Sequence, residues 1–63
     1  LMSNEDKMII DMIQKLSENS VEKIEEFRKQ CLRALEGRDK STIEFTNALC
    51  DVAVKRKKHL EVA

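Results

Sequence analysis

The sequence predicts an all-α fold, an antiparallel helical hairpin or three-helix bundle completed by oligomerisation. Three observations point there. The 63 residues contain no Pro, Trp or Tyr, a single Gly at position 37 and only two aromatics, Phe27 and Phe45, a composition that favours helix over sheet. Apolar residues recur at steps of three and four along most of the chain. The resulting apolar stripes are also wider than one neighbouring helix needs, while a chain this short buries only about 60% of its unfolded surface by itself.

The first helix spans about residues 4–17. Ser3 or Asn4 caps it, and Glu5 and Asp6 place negative charge in the first turn, where unpaired N–H groups and the helix dipole favour it. At about 100° per residue, Met8, Ile9, Met12, Ile13 and Leu16 fall within an arc of roughly 140°, whereas Ile10 points away. A second stripe, Val21, Ile24, Phe27, Cys31, Ala34 and Leu35, is rotated by roughly 90° from the first if the helix runs on. No straight seam holds both. A break at residues 17–20 resolves the conflict, with Asn19 and Glu22 reading as a new cap and a second helix over about 20–36. The competing picture is one continuous helix from about 4 to 36 whose halves meet different neighbours.

Gly37 ends the second helix, because glycine enters the left-handed conformation without a Cβ penalty. Ser41-Thr42-Ile43-Glu44 matches a capping box and starts a third helix over about 42–63. This helix carries two apolar faces. Phe45, Ala48, Leu49, Val52, Ala53 and Leu60 form the main face and are expected in the core, together with Phe27 of the second helix. Ile43, Asn47, Cys50 and Val54, spaced four, three and four, form a second face with the step pattern of a coiled-coil seam. An inter-subunit contact there would let Asn47 fix register. The apolar period still runs at Leu60-Glu61-Val62-Ala63, whereas Met2-Ser3-Asn4 reads as a native start with Leu1 a cloning remnant; the expectation is a single domain from the N-terminal part of a longer protein.

Twelve basic and twelve acidic residues cancel, which argues against a polyanion-binding tail or an acidic tail as a whole. The longest apolar run, Met8-Ile9-Ile10, is far shorter than the roughly 20 residues of a membrane span or the 7–15 of a signal sequence, so an intracellular protein without a membrane partner is expected. Cys31 and Cys50 match neither a disulfide framework nor a Cys-x-x-Cys metal pair, and a zinc site would have to recruit both together with His59 and a carboxylate. Cys50 and His59 lie roughly 13 Å apart along one helix and cannot share a proton. Adjacent acids, Glu5-Asp6 and Glu25-Glu26, diverge by about 100° and make no general acid–base pair. No enzyme, cofactor, metal or small-molecule substrate is expected.

Lys55-Arg56-Lys57-Lys58 is the one local charge run. It complements the dipole of a helix C-terminus, fits a short nuclear-import pattern and offers contacts to phosphate, although four successive residues point all round a helix. The leading functional expectation is a helical oligomerisation and protein–protein interaction domain of a larger scaffold or regulatory protein, a two-fold homodimer or the partner of another helical protein, in the nucleus rather than the cytoplasm. Its interface residues are Met8, Ile9, Ile10, Met12 and Ile13 with Ile43, Asn47, Cys50 and Val54. The second reading is a small helical nucleic-acid-binding module using Lys55, Arg56, Lys57 and Lys58.

Overall fold

A computed structural model describes residues 1–62. Three helices follow in order: α1 (Asn4–Ser17), α2 (Val21–Ala34) and α3 (Lys40–Val62). Ala63, included in the expected third helix, lies outside the described residues.

Ser3 caps α1, its Oγ accepting from the Asp6 N–H at 3.1 Å. The chain does break after Ser17, but a different pair of residues organises the corner. The Asn19 side-chain amide donates to the carbonyls of Lys15 and Leu16, at 3.3 and 3.4 Å, so it closes α1 instead of opening α2. Ser20 is the cap of α2, accepting from the Lys23 N–H at 3.2 Å. Neighbouring Ser and Asn suit either role; the short link settles the division, since the last carbonyls of α1 need a donor as much as the first N–H groups of α2 need an acceptor.

Gly37 takes φ +76° and turns the chain back, as expected. The third helix begins two residues earlier than the capping box suggests. Asp39 is its cap, with the Ser41 and Thr42 hydroxyls donating to the Asp39 carboxylate and the Ile43 N–H donating to the Asp39 carbonyl at 3.3 Å. The Ser41 hydroxyl, then the Ser41 backbone N–H, and after these the Thr42 hydroxyl and N–H, hold the Asp39 carboxyl below the usual carboxylate range.

α1 and α2 each pack chiefly on α3 and touch each other little. α2 runs antiparallel to α3, because Ile24 meets Cys50 and Ala53 while Arg28, one turn further on, meets Asn47 and Asp51. The Cα envelope measures 39 × 33 × 13 Å. Packed helices lie about 8–10 Å apart, so the thin dimension holds two layers at most and no third layer of the described residues covers their outer faces. The radius of gyration is 12.5 Å, against about 10.6 Å for a compact chain of this length. The fold is a flattened, open three-helix bundle.

Its core is small. Ile24, Cys50 and Ala53 are fully buried and Leu49 nearly so, with Leu16 and Val54 packed alongside. Phe27 and Phe45, expected at the centre, remain 42% and 45% exposed. Where two helices must both approach α3 closely, the contact selects the small Cys50 and Ala53, and the large rings fall on the flanks.

Ile24→Ala removes the largest core side chain and should cost about 2–5 kcal/mol, enough to lose most of the cooperative urea transition of so small a domain. The Asp39 cap gives a pH dependence of defined sign. Its folded carboxyl titrates below its unfolded value, so its stabilising contribution is complete above the ordinary carboxylate range and is lost as pH falls through the folded-state value. Asp39→Asn keeps a capping side chain without the titration; the acid-side slope of stability, followed by circular dichroism, should be shallower in that variant.

Candidate functional site

Both apolar faces of the third helix contribute to the core, and the expected main face is left partly open. Cys50 is fully buried, and Ile43, Asn47 and Val54 are half-buried within the chain. The seam proposed as an inter-subunit contact therefore lies against the chain's own helices, with Asn47 facing Arg28 of α2. Its four-three-four spacing calls for a helical neighbour without saying whose. The short connection through residues 35–39 holds α2 at high effective concentration, and the intramolecular neighbour takes the place.

Arg28 fixes the register of that contact. Its Nη1 donates to the Asn47 Oδ1 at 3.1 Å and to the Asn47 carbonyl at 3.2 Å. Nη2 donates to Asp51 at 2.7 Å and to Glu25 at 3.2 Å. Burial works against the guanidinium charge, yet the bonds to Asp51 and Glu25 outweigh it and raise the Arg28 pKa above its ordinary value. The Nε is buried without a partner among the described residues, a cost the four charge-assisted bonds offset. Beside this network, burial pushes the Cys50 thiol up, with the Arg28 charge opposing it more weakly.

The main face of α3 is the one left open. Leu49 and Ala53 turn inward, but Phe45, Val52 and Leu60 are 45%, 46% and 54% exposed, and Ala48 is exposed as well. Leu49 also forms the floor of a groove of about 350 Å³ between the three helices, lined by Met12, Lys15, Leu16, Asn19, Phe27 and Leu49. Phe45 lies one helical turn before Leu49 and Val52 one turn after it, so groove and open face are continuous. The lining is almost wholly apolar, and the Asn19 amide is engaged with α1 carbonyls. It has few of the convergent polar groups that orient a small molecule.

The α1 candidates divide. Ile9 and Ile13 are half-buried within the fold, whereas Met8, Ile10 and Met12 are exposed. By helical angle, Met8 and Met12 border the groove side and Ile10 the opposite side. Phe27, Phe45, Ala48, Leu49 and Val52, which form this groove and open face, are not among the residues expected at an interface. The available signal was the breadth of the main arc on α3, which exceeds what one tethered neighbour covers.

The basic run forms no single patch. Lys55, Arg56 and Lys58 are exposed, while Lys57 is partly buried and reaches Glu61 at 3.9 Å. Among the described residues no three His, Cys, Asp or Glu side chains group to hold a metal ion, and no helix is long and apolar enough to cross a membrane. No protein-family model matches the chain, and comparison with curated proteins and with solved structures returns no significant match, so its own residues carry the functional reading.

Asn47→Leu distinguishes the two placements of the seam. An inter-subunit Asn replaced by Leu would raise stability. Here Arg28 keeps its burial and loses an acceptor, so the variant should lose about 1–3 kcal/mol in chemical denaturation with its solution mass unchanged.

Proposed function

We propose that this chain is a non-enzymatic helical interaction domain that self-associates through the open apolar face of α3 and the groove beside it. One quantity carries the reading. The chain exposes 5157 Å² of surface, whereas a compact monomer of 7.3 kDa exposes about 4,200 Å². The excess of about 1,000 Å² is close to the roughly 800 Å² that each partner contributes to a standard protein–protein interface. Much of the exposed surface is apolar and contributed by all three helices, through Met8, Met12, Phe27, Phe45 and Val52. Covering it would supplement a core of only a few residues, since each fully buried large apolar side chain is worth about 1.5–3 kcal/mol. Equal numbers of acidic and basic residues leave no net repulsion between copies.

Sedimentation equilibrium from low to high micromolar concentration tests this. The expected result is a mass above that of one chain, with a thermal midpoint that rises with concentration, as linkage to association requires. A monomer mass across the range with a concentration-independent midpoint would overturn the reading.

A further inference from the structure

On the reading that the chain self-associates, we propose that two copies pair antiparallel along α3, with Phe45, Ala48 and Val52 at the contact. The exposed side of α3 has its own seam: Ser41, Phe45, Ala48, Val52, Lys55 and His59 are spaced four, three, four, three and four, and all are exposed. Ala48 at its middle lets two helices approach closely. Leu49, one turn from both Phe45 and Val52, makes the seam continuous with the groove, so the excess surface of the open face and this helical stripe are one surface.

Direction follows from what each arrangement sets opposite what. Parallel pairing stacks Lys55 on its own mate within the seam. Antiparallel pairing sets Ala48 opposite Val52 and lays the Lys55 stem along the Phe45 ring, with the ammonium at the rim or over the ring face. On the flank of this register, two residues off the core pairing, Glu44 of one copy meets Lys58 of the other, twice about the two-fold axis, while Asp51 midway between them meets its own mate with its carboxylate held by Arg28. Glu44 and Lys58 are exposed, and neither forms an ion pair among the described residues. Within one chain they sit roughly 21 Å apart along the helix axis, too far to meet each other.

The test combines mass measurement with circular dichroism on Ala48→Glu, Glu44→Lys, Lys58→Glu and the double swap. Ala48 is exposed in the single chain, so Ala48→Glu should keep its helicity while its dimer dissociation constant rises by about tenfold or more, as expected for charges forced together without partners. Each single swap should weaken the dimer several-fold, and the double swap should restore it. A folded Ala48→Glu protein that dimerises like the parent would overturn this face as the contact and leave self-association standing through another surface. Single swaps that weaken the dimer without rescue by the double swap would overturn the antiparallel register. A parent chain that stays monomeric at every concentration would instead overturn the self-association on which the proposal rests.

Discussion

Two small side chains on one helix govern the architecture. Cys50 and Ala53 lie where the other helices approach α3, and both are fully buried against Ile24. A larger residue at either place would push the helices apart, because close-packed interiors have no spare volume. Drawing both neighbours onto that side of α3 has a cost in coverage. The opposite flank, with Phe45, Ala48 and Val52, is left only partly covered by the described residues. The thin envelope, the high radius of gyration and the large accessible surface are three expressions of that one choice.

Arg28 adds direction to this contact. Dispersion between Ile24, Cys50 and Ala53 is compatible with several registers that differ by a helical turn, since apolar contact is non-directional. The guanidinium is more selective. It needs the Asn47 oxygens and the Asp51 carboxylate on one side and Glu25 of its own helix on the other, and only one sliding position supplies them together. Asp51 is largely solvated, so its bond adds little stability by itself. Asn47 is half-buried, and its bond discriminates between registers because a slipped helix would leave the amide oxygen and the guanidinium apart.

Local features were legible in the sequence wherever one residue type has one physical use. Gly37 ends α2 because the backbone there adopts a positive φ, and Ser3 caps α1 because acidic residues and an apolar stripe follow it. The break near residues 17–20 was legible from the change of stripe direction. Cap assignments slipped where several suitable residues stand together: Asn19 beside Ser20, and Asp39 just before Ser41 and Thr42. The larger difference concerns which parts of the two faces of α3 are covered. Periodicity identifies faces but not neighbours: Cys50 is covered within the same chain, whereas Phe45, expected at the centre, stays 45% exposed. Where α3 is approached most closely the small Cys50 and Ala53 pack against Ile24, and the ring falls on the flank.

The internal closure of the Ile43, Asn47, Cys50 and Val54 seam bears on how any association would relate to folding. Had Ile43, Asn47, Cys50 and Val54 formed the contact between copies, separating the copies would expose the structural centre of the chain, and the monomer would unfold on dissociation. With that seam closed internally by α2 and secured by Arg28, the described core stays intact whatever happens on the far side of α3. The flank residues Phe45, Val52, Met12 and Phe27 are each partly covered already, so the proposed association would remove their remaining exposure without rearranging the backbone that carries them. A face preorganised in this way would sacrifice little conformational entropy on binding, which is the condition under which a modest apolar area gives useful affinity.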